Sequence, residues 1–454
     1  MPDRQPRRPP AELRPPWSRS DRLVPRRIVR PLQEFLATST AGGLFLTIAV
    51  VLALVWANSP WRSSYRSLLE SRFVIGVAGF DVGGDLRFLI TEGLMALFFL
   101  VVGLEIKREL TTGELRNRRA VLLPVLAAAS GMVVPALLYL AVAGGGSAGR
   151  GWAIPMATDI AFALGVLAFA GSAVPGGLRS LLLALAIVDD IGSVVVVAIV
   201  SSSTISSRWL VGSLAIAATV LLFPRVHIRS TIVYVSLGLA LWFAMFRTGI
   251  HPALAGVVMG LSTPSEPFQR PRAVSEEAHR IADRTEDDPS PPDADAHHWL
   301  RLTELSREAV SPLTRVEHVL LPWSSFVVLP LFAFANTGVE VSGSALAAAA
   351  ASAVAWAILV ARTAGKTIGV WGGTKLAASL RIAPMPPGVT GRHLFAMAAA
   401  TGTGFTVSLF VAQLVFAADR VALDHATIAL LIASVLSAAF ALVVLRRRSG
   451  PPID

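Results

Sequence analysis

The sequence predicts an all-α polytopic membrane protein of about twelve transmembrane helices, and three observations lead there. Hydrophobic residues make up 54% of the 454-residue chain and charged ones 15%, too apolar a balance for a soluble domain. The apolar residues gather into many stretches near 20 long, the length a helix needs to cross hydrocarbon with its backbone amides paired internally. Basic residues fall between these stretches, not among exposed aromatics, so the net charge of +10 follows the positive-inside rule and does not point to nucleic acid.

The first 30 residues hold nine Arg and seven Pro without an apolar core. Residues 1–32 therefore read as a disordered cytoplasmic tail, suited to anionic lipid, and not as a secretory signal peptide. Spans one to eight occupy 33–261, centred on 41–58, 88–106, 120–143, 154–173, 178–200, 210–223, 231–246 and 251–261. Spans nine to twelve occupy 316–445, centred on 323–336, 346–369, 394–417 and 426–445, followed by a cytoplasmic tail at 446–454. An even number of spans puts both termini on one side, and Arg-rich 1–32, 107–119, 225–229 and 446–448 identify that side as the cytoplasm.

Two connections stand out. The outward segment 59–87 alternates around Phe73 to Asp81 between Gly-rich ends, which reads as a short β-hairpin able to pair with a second copy, or else as a plain exposed loop. Residues 262–315 turn to Pro, Asp, Glu, Arg and His with little apolar periodicity, so a long, largely disordered cytoplasmic loop is expected there. Its place after span eight differs from the usual layout of transporters built as two sets of six spans, where the long loop follows span six. With no cysteine, disulfides, thiolate catalysis and thiolate metal sites are excluded.

Ionisable groups in hydrocarbon cost several kcal/mol, so those that persist are candidates for function. Asp159 lies in ATDIAFALGVL (157–167), and Asp189 and Asp190 in LAIVDDIG (185–192). One basic residue answers them in this reading, Lys366 in ARTAGKTIGV (361–370). Adjacent residues on a helix project about 100° apart, so Asp189 and Asp190 cannot share one partner. One can pair with Lys366 while the other faces a watery cavity, where a hard cation takes carboxylate, hydroxyl and carbonyl oxygens. A salt bridge that only fixes helix packing is the plainer alternative, and it accounts for one aspartate of the three. Span four is interrupted at Thr158 and Asp159, span eleven at Gly402, Thr403 and Gly404, and either could be unwound.

These motifs, with VGLEIKREL (102–110), GIHPALAGVVMG (249–260), LPLFAFANTGV (329–339) and TGTGFTVSLF (401–410), resemble the NhaA-type sodium/proton antiporters over about 33–445. The resemblance implies inverted repeats and two unwound helices, spans four and eleven, crossing at the membrane centre. It implies no enzyme and no cofactor, but electrogenic, pH-regulated exchange of Na⁺ or Li⁺ for H⁺ across the bacterial inner membrane, serving sodium and pH homeostasis. Asp190 would lead ion binding with Asp189 beside it and Asp159 and Thr158 close by, the metal ion lying at Asp159 and Asp190. Lys366 would compensate charge, chiefly that of Asp189, and together with Asp159 offset the half-helix dipoles. Glu105, Arg108, Glu109, His251, Glu317 and His318 resemble the family's pH-response cluster, though ordinary helix-end charges explain them as well. Departures are Leu321 in place of a second histidine, Thr367 where proline usually follows the lysine, and the length of 262–315.

Two other readings differ in class. A carrier of another small substrate would line its cavity with aromatic and hydrogen-bonding groups. An intramembrane aspartyl protease would need a Gly-x-Gly-Asp signature, which the chain lacks.

Overall fold

The computed structural model describes residues 39–75, 82–113, 118–169, 174–200, 206–226, 230–287 and 292–446. The two tails therefore lie outside the described residues, apart from Arg446. Helix α1 (Ser39–Ala57) ends before Pro60, which lacks an N–H and cannot extend the ladder, and the chain bends by 118° into α2 (Arg62–Leu69). Asn58 holds this corner: its amide donates to the carbonyls of Leu54 and Val339 at 2.9 Å each, and its oxygen accepts from Val341 N at 2.6 Å. Strands β1 (Arg72–Ile75) and β2 (Val82–Asp85) pair antiparallel, Arg72 opposite Asp85, while the residues joining them lie outside the described set. Asp85 then caps the next helix by accepting from Phe88 N at 2.7 Å.

That helix is α3 (Leu86–Thr111), followed by α4 (Arg118–Ala143), a 3₁₀ segment at Ala148–Met156, α5 (Ile160–Phe169) and α6 (Gly176–Val200). The chain continues through α7 (Ser207–Val226), α8 (Thr231–Thr248) and the short α9 (Ala253–Ser262). Helix α9 spans 10 residues yet packs along α3, because glycines remove the side chains between them. A Cβ on Gly256 would stand 2.8 Å from Leu100 N, and one on Gly260 2.6 Å from Leu100 O. Helices α7 and α8 sit at the periphery: only 17% of each span is buried, and Val211, Leu214, Ile232 and Leu239 are exposed, as suits lipid-facing walls.

Residues 262–315, expected to be largely disordered, contain two helices instead, α10 (Pro271–Asp287) and α11 (Pro292–Glu308), packed on each other. Val274 and Ile281, seven residues apart and so on one face of α10, are both buried. That two-residue stripe is too sparse to read as periodicity in a charged sequence. The base of the pair closes where Phe268 N and Gln269 N both reach the carbonyl of Glu308.

Helix α12 (Pro312–Asn336) begins ahead of the expected span, since Ser311 caps it with Pro312 in its first turn. The expected tenth span is divided: α13 (Gly343–Ala351) stops at Ser352, whose backbone is extended, and the long helix is α14 (Ala353–Ser379). Lys366 stands midway along α14. Helices α15 (Gly391–Thr401), α16 (Thr406–Val415) and α17 (Arg420–Arg446) complete the chain. Among the described residues eight helices are long and apolar enough to cross a membrane, and three bent pairs qualify when each is taken as one span. The protein is thus a mostly helical, multi-pass membrane protein.

Candidate ion-binding site

Two of the bent pairs meet in the middle of the bundle. The 3₁₀ segment Ala148–Met156 and α5 are set 54° apart, and α15 and α16 are set 43° apart, each pair broken by a few non-helical residues. Pro155 precedes the first break, and Gly402 and Gly404 lie in the second. A helix break exposes backbone groups that would be ruinous if left unpaired in an apolar interior. Here each break supplies partners for the other: Asp159 N donates to Thr403 O at 3.3 Å, and Thr158 Oγ1 lies 3.3 Å from Thr401 O.

Charged side chains satisfy what remains. Asp159, buried, accepts on one oxygen from Ala161 N at 3.1 Å in the first turn of α5, and on the other from Thr406 Oγ1 at 2.8 Å at the start of α16. Its negative charge thus faces the N-termini of both C-terminal half-helices, where the peptide dipoles are positive. Lys366, fully buried, donates to the carbonyl of Met156, where the 3₁₀ segment ends, and to Asp189 Oδ2 at 2.6 Å. The same oxygen accepts from Thr158 Oγ1 at 2.5 Å.

Asp190 is placed differently. It is 9% exposed and lies within electrostatic range of Asp189, Asp159 and Lys366, yet among the described residues its carboxylate accepts no hydrogen bond. On the same helix Asp189 Oδ1 and Ser193 Oγ are buried without partners among the described residues. Ser193 lies three residues after Asp190 and four after Asp189, so it shares their side of α6, and a hydroxyl is an oxygen ligand of the kind a hard cation takes. Sequence reasoning passed Ser193 over because a single serine inside a span carries no cost that marks it. Among the described residues no three His, Asp or Glu groups converge tightly enough to hold a metal by themselves. A cation here must draw on hydroxyl, carbonyl or water oxygens beside the carboxylates.

Lys366 is the basic residue bonded to an aspartate of the site, but a second cation is buried beside it. Arg362, one turn earlier on α14, is also fully buried and lies in a π-helical turn, Ala361–Gly365. It donates from Nε to Gly402 O at 3.0 Å, from Nη1 to Ser408 Oγ at 2.5 Å and from Nη2 to Ala157 O at 2.9 Å. The signal was present: Arg362 stands in the same apolar run as Lys366 and meets the same criterion. The two glycines also gain a specific reason. A Cβ on Gly404 would stand 2.8 Å from Ala157 O and 3.0 Å from the guanidinium carbon of Arg362, and one on Gly402 2.9 Å from Arg362 O.

The six positions matching a pH-response cluster do not form one group. Arg108 bonds Glu317 and lies 3.6 Å from Glu109, and Glu105 is within electrostatic range of all three. His251 is elsewhere: its Nε2 lies 3.0 Å from Glu92 and its ring stands edge-on to Phe410. Glu92 precedes Arg108 by 16 residues on α3, about 24 Å along the axis at 1.5 Å per residue. His318 is exposed. A histidine at the start of one helix and a Glu-His pair at the start of another look alike in sequence, and helix direction alone sends them to opposite ends.

Comparison with known proteins accords with this geometry. The family described as Na⁺/H⁺ antiporter 1 matches residues 33–445. The chain is 41% identical to Na(+)/H(+) antiporter NhaA 2 of Sorangium cellulosum over 94% of its own length and 92% of that protein. It is 38% identical to Na(+)/H(+) antiporter NhaA 1 of Myxococcus xanthus, covering 93% and 94% of the two chains. Against the NhaA of Janthinobacterium identity is 38%, covering 92% and 93%.

Proposed function

Because the chain belongs to the Na⁺/H⁺ antiporter 1 family and is a sodium/proton antiporter of a bacterial membrane, not an enzyme, we propose that exchange takes place at Asp190. One observation carries the reading: among the described residues Asp190 is a buried carboxylate without a hydrogen-bonding partner, beside an Asp189–Lys366 ion pair and within range of Asp159. An uncompensated buried carboxylate must bind a positive charge, and Na⁺, Li⁺ or H⁺ each supplies one. Competition for that carboxylate, joined to a change of open side permitted only when it is loaded, is sufficient for exchange. Asp159, Thr158 and Ser193 contribute oxygens to the cation, while Asp189 stays with Lys366.

The finer architecture belongs to the same proposal. Twelve spans result when the three bent pairs and α9 each count as one. In this arrangement the two broken helices cross at mid-membrane as halves of an inverted repeat, the termini are cytoplasmic and the membrane is the inner one. Moving more protons than sodium ions per cycle would let the membrane potential drive sodium out, at about 2.3 kcal/mol per charge per 100 mV. The Arg108–Glu317 cluster is the natural seat of pH regulation, and β1 and β2 could pair with a second copy.

Everted membrane vesicles energised by respiration test the core of this. Added Na⁺ is expected to collapse the proton gradient in vesicles carrying the protein, and Asp190→Asn to abolish the response. A variant that still collapses the gradient at the parent rate removes Asp190 from the site.

A further inference from the structure

We propose that Arg362 is a positioning residue of the exchange site, one that clamps the two helix breaks together and leaves Lys366 free for Asp189. The inference rests on the reading of the site given above. Arg362 alone among the buried cations of the described residues touches both breaks: Ala157 O belongs to the first, Gly402 O to the second, and Ser408 Oγ to the helix leaving the second. Three acceptors in different directions match the fork of a guanidinium, which a single ammonium cannot imitate.

Charge makes the same point. The 3₁₀ segment and α15 both end at the breaks, and their last carbonyls carry the negative ends of peptide dipoles, each of up to about half a charge. Asp159 answers the positive ends of the two departing half-helices, and Arg362 answers the negative ends of the two arriving ones. Asp189 and Lys366 answer each other. Among the described residues Asp190 is what remains, a single carboxylate of the site without an ion-pair partner. Without Arg362, Lys366 would be the only cation near those carbonyls, drawn between them and Asp189.

The clamp also sets geometry, since the carbonyl it holds, Ala157 O, immediately precedes Thr158 and Asp159. A loosened break displaces both oxygens from Asp190 and weakens cation binding before it slows turnover. The expectation is therefore a split between apparent KM and maximal rate, which a residue that only fills space would not produce.

The test uses the full-length protein in proteoliposomes, with Na⁺-dependent proton efflux measured against Na⁺ concentration. Arg362→Lys keeps the charge and loses the fork, and should raise the apparent KM for Na⁺ about fivefold or more while the maximal rate changes less. Ser408→Ala removes one acceptor and should shift KM the same way by a smaller factor. Arg362→Gln removes the charge as well and should lose exchange. If Arg362→Gln does not fold, the first two variants decide. The proposal is overturned if Arg362→Lys leaves KM within about twofold of the parent, or if the maximal rate drops by as large a factor as KM rises. Loss of the underlying site reading would look different: Asp190→Asn would then exchange Na⁺ normally, whatever the Arg362 variants do.

Discussion

The charges at the two breaks and the charges at the far end of α3 are of similar composition and differ in how they are held. At the breaks, Asp159, Lys366 and Arg362 are all buried, and each bonds to backbone or side chains on helices distant in sequence. At the end of α3, Glu317 is buried, but its partner Arg108 has a side chain 43% exposed, open to water and salt. Buried charges are worth several kcal/mol to whatever pairs with them, whereas exposed pairs are screened. This contrast in burial agrees with the proposal that exchange takes place in the first region and its regulation in the second. Glu105 links them, lying within electrostatic range of both Glu317 and Asp190.

The largest test of this contrast is Lys366→Met. Leaving Asp189 buried and unpaired should cost about 3–5 kcal/mol. The loss should appear as a clear fall in thermal midpoint in detergent together with loss of exchange. A variant as stable as the parent would mean that Asp189 is not charged in the resting protein. Next is Gly404→Ala, whose methyl group would press on Ala157 O and Arg362. Overpacking of this kind costs about 1–3 kcal/mol, and the exchange rate should fall with it, whereas unchanged transport would show the breaks to be looser than drawn.

Smaller effects are expected at the end of α3. Glu317→Gln should shift the pH of half-maximal exchange while sparing most of the maximal rate, since it weakens one charged hydrogen bond, of about 1.5–3 kcal/mol. That shift should shrink in about 1 M salt, where the Debye length is roughly 3 Å. A shift that ignores salt would place the pair in a drier setting than its exposure indicates. His318→Ala should do least, within about 0.5 kcal/mol in stability and with no movement of the pH profile. Any movement would give the exposed imidazole a partner outside this chain.

Much of this was legible beforehand for a local reason. Asp159, Asp189, Asp190 and Lys366 announce themselves because a charge inside an apolar run is costly wherever the run ends up, and the glycines of the second break stand out against helix propensity. Arg362 is equally visible, since it stands in the same apolar run as Lys366. The helices at 271–308 are hard to read because Val274 and Ile281, the buried hydrophobic positions among their described residues, stand within a charged sequence. His251 was grouped with Glu317 because the sequence does not state at which end of a helix each lies.

By itself, then, the sequence determined that this protein lives in a membrane, roughly where it crosses and which carboxylates are candidates for function, since burial in hydrocarbon penalises each residue one by one. Pairing was decided by the tertiary structure alone. Lys366 meets Asp189 across 177 residues and Arg362 meets Ala157 across 205, and such meetings depend on how each helix is rotated about its axis and packed, which no local pattern encodes.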